Sequence, residues 1–147
     1  MTREWKVGLT FEPGRVMAGA AGVLLTRVIW VKPGASHPLV SVDAAMNDLA
    51  RPALYGAPHR LTAVRADGEA MVATIAGPVC ETGDTFGVAQ TIDRVARNDL
   101  AVFHTMGAYG AAMASSYNCR PLAPQSHVDG ADVAVVGDRL LPAEKAL

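Results

Sequence analysis

Cysteine is nearly absent. Only Cys80 and Cys119 occur in 147 residues, and they stand far apart, whereas secreted scaffolds of this size that depend on disulfides carry more. Both are read as reduced thiols, which points to a cytoplasmic protein. Aromatic residues are few, at 5 %, and alanine and glycine take their place, a composition suited to close backbone packing. Neither sign of charge dominates: the net charge is −1 with 18 % charged residues. A basic surplus for nucleic acid and an acidic run for a disordered tail are both missing. The longest apolar stretch, Val16 to Leu25, is about ten residues, contains Gly19 and Gly22, and is too short to cross a bilayer. Met1 to Lys6 has no apolar signal core. His37, His59, His104 and His127 lack the short pairings of zinc sites, so no metal site is expected. No Walker-type loop or dinucleotide fingerprint occurs, and Ser115 and Ser116 do not sit in a nucleophile elbow.

What is there is half hydrophobic, enough for one packed domain. Lys6 to Phe11 reads as a short strand that ends at the sharp turn Glu12-Pro13-Gly14. Arg15 to Ala21 suits a brief helix. Val23 to Val31 is rich in β-branched residues and reads as a strand, followed by a turn at Lys32-Pro33-Gly34. Leu39 to Asp43 is a second strand, and Pro52 can start a short helix carrying Leu54 and Tyr55. Leu61 to Arg65 and Ala70 to Ala76 flank Asp67-Gly68, a hairpin signal. Leu100 to Thr105 reads as a strand, Ala108 to Tyr117 as a helix, and Val133 to Val136 as a last strand after a turn at Asp129-Gly130. The tail from Leu140 is expected to be loose. These elements describe a β-rich α+β domain, a sandwich or an open barrel.

Four segments carry candidate chemistry. Glu12-Pro13-Gly14-Arg15 brings a glycine, which lets backbone approach an anion, next to a guanidinium able to make a bidentate contact; an ordinary turn with a solvated Arg is the alternative. Arg51 and Tyr55 are four apart and share one face of a helical turn, where a guanidinium beside a phenol suits a carboxylate, or simply packs on the ring. Cys80-Glu81 follows Gly77-Pro78-Val79 in a loop after a strand. A lone cysteine is commonly a small buried hydrophobe, but a protonated thiol can also serve as a general acid. Gly107-Ala108-Tyr109-Gly110 places a phenol between small residues, either packed or bonding a ligand. Cys119 has no partner pattern and reads as structural.

In this order and spacing, Glu12-Pro13-Gly14-Arg15, Asp43 to Leu49 running into Arg51-Pro52-Ala53-Leu54-Tyr55, Cys80-Glu81-Thr82-Gly83-Asp84 and Gly107-Ala108-Tyr109-Gly110 resemble the C-terminal half of diaminopimelate decarboxylases. The resemblance runs from about Leu9 to about Gly130. It implies the β-domain of fold-type III pyridoxal-phosphate decarboxylases, with residues 1–15 matching the last strand and loop of the N-terminal α/β barrel and residues 16–147 the C-terminal β-domain. It implies that Glu12, Pro13, Gly14, Arg15 and Tyr109 serve the phosphate of pyridoxal 5'-phosphate. Arg15, Arg51, Tyr55, Glu81 and Tyr109 would meet the substrate meso-diaminopimelate. Cys80 would donate a proton to the carbon that has lost carbon dioxide. Cys80 and Glu81 would reach into the site of a partner subunit, so a homodimer with shared sites is expected. Neither nucleic acid nor membrane is an expected partner.

Some family features fall outside this pattern. The lysines are Lys6, Lys32 and Lys145, and none sits in the motif that anchors the cofactor. The barrel that carries this motif is typically about 250 residues and is not part of the sequence. Met106 stands where the family has a small residue, Asn98-Asp99 replaces Gly-Asp, and Gln125 replaces a Glu. The expected activity is decarboxylation of meso-2,6-diaminopimelate to L-lysine, with the isolated chain inactive. The alternative is a non-catalytic dimerisation or binding module, or a gene remnant, of the same family.

Overall fold

The computed structural model describes residues 7–65 and 67–141. Its centre is a six-stranded sheet. The strands are β1 (Val23–Lys32), β2 (Leu39–Val42), β3 (Leu61–Ala63), β4 (Ala70–Ala76), β5 (Thr85–Asp93) and β6 (Leu100–His104), in the order β3-β6-β1-β2-β4-β5. All neighbours are antiparallel except β2 and β4, which run parallel with Leu39 opposite Thr74. A parallel pair needs a crossover. Here the chain between them carries a short helix and β3.

The sheet curls until its two edges nearly meet. The Ala63 N–H of β3 donates to the Asp93 carboxylate of β5 at 2.9 Å. The interior is filled by alternating side chains: Val28, Val40, Val42, Ile75, Ala73, Ala101 and Phe103 are all fully buried. Phe86 of β5 packs on Phe103 of β6 with ring centroids 4.7 Å apart, in the tilted arrangement favoured by ring quadrupoles. Of the two forms that the strand pattern allowed, a sandwich or an open barrel, this is the open barrel.

Asp43 ties the loop after β2 back to β1. Its carboxylate accepts from the Thr26 hydroxyl at 2.7 Å and the Arg27 N–H at 2.8 Å. The Thr26 hydroxyl oxygen in turn accepts from the Ala44 N–H at 3.0 Å. The loop then turns inward, burying Ala45, Asn47 and Leu49, before helix α2 (Arg51–Tyr55) begins at Pro52 and stops at Gly56 with φ 60°. Proline suits a first turn, whose N–H groups lack helical partners, and glycine takes the left-handed cap without a Cβ clash. Helix α1 (Arg15–Ala18) runs into a 3₁₀ turn at Gly19–Ala21.

Several expectations are corrected. Of the strand expected at Lys6 to Phe11, Lys6 lies outside the described residues. Val7 to Phe11 form no strand and are exposed, because no neighbouring strand among the described residues offers them a ladder. The hairpin at Asp67-Gly68 does not form: β3 pairs with β6, and β4 pairs with β2 and β5. Ala108 to Tyr117 is not a helix: it holds one 3₁₀ turn, Ala111–Met113, and runs into a second, Tyr117–Cys119, with Tyr109 at φ 62° and, just beyond the range, Asn118 at φ 58°. Of the tail expected to be loose from Leu140, Leu140 itself is held, its carbonyl accepting from the Leu122 N–H at 3.0 Å, and residues 142–147 lie outside the described residues. The last strand belongs to a hairpin of β7 (Gln125–Asp129) and β8 (Asp132–Gly137), which stands apart from the main sheet. Asn98 takes φ 75°, the left-handed region where a glycine fits and where asparagine is the best-tolerated substitute.

Candidate functional site

The predicted residues fall into two groups on either side of α2. The first gathers where β6 ends. Gly107 passes so close to the start of β1 that a Cβ on Gly22 would sit 2.5 Å from the Gly107 Cα. Two glycines are required for that approach. It is fixed by Met106 N–H to the Gly22 carbonyl at 2.8 Å and Gly107 N–H to the Gly19 carbonyl at 3.1 Å. On either side of this crossing, Thr105 and Tyr109 adopt φ 65° and 62°. A β-branched residue and a bulky one in the left-handed region each cost of order 1–3 kcal/mol, strain that the surrounding contacts must hold in place.

This crossing delivers Tyr109 to the Glu12-Pro13-Gly14 turn. A Cβ on Gly14 would stand 3.1 Å from the Tyr109 hydroxyl. The missing side chain of Gly14 leaves the Tyr109 hydroxyl its place without crowding. Arg15 follows at the start of α1 and donates weakly to the Thr105 carbonyl at 3.4 Å. The Arg51 guanidinium lies 5.4 Å from the Tyr55 ring centroid and 5.7 Å from that of Tyr109. Two aromatic faces thus orient one cation. Tyr55 and Tyr109 remain 65 % and 46 % exposed, so the group opens outward. Gly14, Arg15, Arg51, Tyr55 and Tyr109 therefore converge, joining segments far apart in sequence, while Glu12 and Pro13 are exposed and are placed beside them only as chain neighbours of Gly14.

His59 belongs to this group and the sequence reading missed it. It is 2 % exposed, and its Nδ1 donates to the His104 carbonyl at 2.9 Å. Burial holds its pKa below the ordinary 6.5; the His104 bond opposes this, and the positive charges of Arg15 and Arg51 add to it. A neutral ring in that place adds no third positive charge to the two arginines. Its only sequence signal was its place four residues after Tyr55, and the acceptor is a backbone carbonyl, which no side-chain motif reveals.

Cys80 and Glu81 are in the second group. They sit in the loop joining β4 to β5, and both are exposed. The loop leans on the other flank of α2: a Cβ on Gly83 would lie 3.4 Å from the Ala53 Cβ. Glu81 lines a hollow of about 310 Å³ with Met46, Asn47, Leu54, Met113 and Tyr117. Asn47 is a second missed residue, 2 % exposed, donating to the Ser115 carbonyl at 3.2 Å and the Tyr117 carbonyl at 2.7 Å. The Glu81 carboxylate accepts from the neighbouring Thr82 N–H at 2.9 Å. No hydrogen bond or ring contact among the described residues joins Cys80 or Glu81 to Arg15, Arg51 or Tyr109.

The first group fits an anion with several acceptor oxygens. Arg15 Nε and Arg51 Nε are buried donors with no partner among the described residues, and a phosphate or carboxylate is what such forks bind. The lysine that would hold a pyridoxal ring is not supplied alongside. Lys32, the only lysine described, is exposed at the opposite end of β1 from Val23, roughly 30 Å away at strand rise. The described residues match the phosphate and carboxylate ends of such a ligand pair, and not the covalent anchor.

Residues 17–107 match the family described as pyridoxal-dependent decarboxylase, C-terminal sheet domain. Diaminopimelate decarboxylase of Zymomonas mobilis is 46 % identical over 139 residues, which cover 95 % of this chain and 33 % of that protein. The Streptomyces coelicolor enzyme of the same name is 44 % identical, covering 94 % and 34 %. A crystal structure of diaminopimelate decarboxylase from M. jannaschii in complex with L-lysine superposes with a TM-score of 0.85 at 35 % identity, covering 90 % of this chain and 31 % of that one. The chain spans about one third of the length of the curated relatives it matches. With its curled six-stranded sheet and its match over residues 17–107, the chain belongs to the pyridoxal-dependent decarboxylase family and carries that family's C-terminal sheet domain.

Proposed function

We propose that this chain is the part of a diaminopimelate decarboxylase that supplies phosphate, substrate and proton-donor contacts, in a reaction converting meso-2,6-diaminopimelate to L-lysine and carbon dioxide. The observation that carries the reading is the convergence of Gly14, Arg15, Arg51, Tyr55 and Tyr109 at one crossing. Pyridoxal phosphate, when bound, supplies the electron sink that makes loss of carbon dioxide feasible. The Glu12-Pro13-Gly14 turn, Arg15 and the Tyr109 hydroxyl would hold its phosphate. Arg51, oriented by two rings, takes a substrate carboxylate with Tyr55 at its side, and Arg15 and Tyr109 border the same ligand. Glu81 accepts the hydrogen bonds of the distal ammonium group. Cys80 Sγ–H gives its proton to the carbon that has lost carbon dioxide, and the thiolate is reprotonated from solvent, to which Cys80 is open.

The separation of Cys80 and Glu81 from the arginine group supports a homodimer in which each subunit lends its Cys80 loop to the other's site. The chain by itself is inactive on this reading, because the anchoring lysine and the ring-binding groups belong to a barrel. Residues 1–15 then continue the last barrel strand and its loop, and residues 16–147 form the β-domain; the enzyme works in the cytoplasm. Among the described residues no helix is long and apolar enough to cross a membrane. A second reading is a non-catalytic dimerisation or binding module. The two part on one substitution. Replacing Cys80 with Ala in the enzyme completed with a barrel should lower the rate of lysine formation about 10²- to 10⁴-fold, the range of a general acid, with cofactor affinity unchanged. An unaltered rate would remove Cys80 from the chemistry.

A further inference from the structure

The Cys80–Glu81 loop is exposed, yet a functional acid and an amine-binding carboxylate need fixed positions. A single buried side chain accounts for that. Asp84, 2 % exposed, closes the loop in which Cys80 and Glu81 lie. One carboxylate oxygen accepts from the Val79 N–H at 2.6 Å, directly before Cys80. The other accepts from the Met46 N–H at 2.6 Å, in the segment that leads to α2. The main chain of the loop adds Gly77 N–H to the Asp84 carbonyl at 2.9 Å and Asp84 N–H to the Glu81 carbonyl at 3.0 Å. A Cβ on Gly77 would overlap the Asp84 carboxylate, so the glycine makes room for this acid.

We infer that Asp84 is a positioning residue: its carboxylate fixes the Cys80–Glu81 loop and locks it to the Met46–Asn47 segment, from which Arg51 follows. The assignment rests on the reading of Cys80 as proton donor and Glu81 as amine clamp. The chemistry of the carboxylate is specific to the task. Both N–H groups need acceptors, and an ionised Asp has two oxygens to offer them. Asn offers one oxygen and sets an NH₂ against the other N–H. Glu is longer by a methylene in a place where even a Cβ on Gly77 has no room. Through Asp84, the loop lent to one site is tied to the segment that leads to the arginine of the other.

The test has two readouts. The first is amide hydrogen exchange of Val79 and Met46 in the 147-residue chain. Both amides should be protected in the unaltered chain, and both should exchange at least about tenfold faster in Asp84→Asn, as expected for losing charge-assisted bonds. Fast exchange of either amide in the unaltered chain overturns the inference even if Asp84→Asn fails to fold. So does protection retained in a folded Asp84→Asn. The second readout is turnover of meso-diaminopimelate in D₂O by the enzyme completed with a barrel. There, Asp84→Asn should lower kcat with little change in cofactor affinity and scramble the stereochemistry of deuterium at the decarboxylated carbon. Stereospecific labelling at full kcat overturns the positioning role. Cys80→Ala run beside it separates the two ideas. If Cys80→Ala keeps stereospecific labelling, the proton-donor reading fails, while the exchange data still decide whether Asp84 locks the loop.

Discussion

The arginine group and the Cys80 loop are built in opposite ways. The first is a meeting of side chains from four separate segments: a turn with the start of α1, helix α2, the chain beyond β6, and His59 two residues before β3. It holds two buried guanidinium Nε atoms without partners, a buried histidine, and two non-glycine residues with left-handed backbone. The second is one loop of eight residues whose functional side chains point outward, and whose order comes from hydrogen bonds of Asp84 and the main chain. Fixed cations suit a ligand that stays bound in one place. An exposed thiol and carboxylate on a stiff loop suit groups delivered to a surface that approaches from outside.

That contrast can be broken directly. The largest effect expected is from combining defects. In the enzyme completed with a barrel, Cys80→Ala and Arg51→Met should each be nearly inactive. Mixing the two proteins should restore activity, because a mixed dimer holds one site with neither change. Mixtures as inactive as their components would show that each site takes both groups from one subunit. Next comes Arg51 alone. Arg51→Met should reduce kcat/KM for diaminopimelate by roughly a hundredfold, about 3 kcal/mol for removing one partner of a buried charged contact. Arg51→Lys should recover little of it, because an ammonium offers neither the flat fork nor the ring stacking.

A smaller effect is expected at Gly14. A methyl group there stands 3.1 Å from the Tyr109 hydroxyl, a crowding that costs about 1 kcal/mol. Gly14→Ala should weaken pyridoxal phosphate binding in the completed enzyme about fivefold, with substrate KM nearly unchanged. An unaffected affinity would place the phosphate elsewhere.

The smallest effect is the pH dependence owed to His59. Its pKa is lowered in the folded chain chiefly by burial. As pH falls below 6.5, the unfolded chain takes up a proton at this position before the folded chain does. Stability present above 6.5 is therefore lost on acidification until the folded-state pKa is passed. Asp48 works with the opposite sign and in a window of its own: burial raises its pKa above 3.8, so the folded chain takes up that proton first and gains stability as pH falls from the raised pKa toward 3.8. Thermal melts of the chain and of His59→Gln, each taken from pH 7.5 to 5, isolate the first term by difference. The unaltered chain should lose more Tm on acidification than the variant, and parallel curves would mean that His59 titrates normally.

Much of the barrel was legible because β-branched runs announce themselves: Val23–Lys32, Leu39–Val42 and Leu100–His104 all appear close to where they were expected. Strand β5 was missed. It carries Gly87, Gln90 and Thr91, bulges against β4, and turns through Ala89 at φ 51°, so it lacks the clean alternation that marks a strand. Pairing was less legible than existence. Asp67-Gly68 is a good turn, but β3 finds its partner in β6 because Leu61 belongs in the core beside Phe103. The segment after Gly107 misled through composition. Its alanines favour helix, yet the close passage of Gly22 and Gly107 and the left-handed Tyr109 fix another path. The arginines, tyrosines and Cys80 could be picked out by motif. Asp84 stands within the Cys80 motif, but its partners, like that of His59, are backbone N–H or carbonyl groups, and such partners leave no side-chain signature in a sequence.

The most direct test of the central claim is to join this chain to the N-terminal two thirds of the Zymomonas mobilis enzyme and measure carbon dioxide and lysine from meso-diaminopimelate with pyridoxal phosphate added. The account predicts both products in equal amounts from the chimera and none from the chain alone, with turnover collapsing in Cys80→Ala. A chimera that binds the cofactor but releases no carbon dioxide would contradict it and leave the dimerisation module as the better reading.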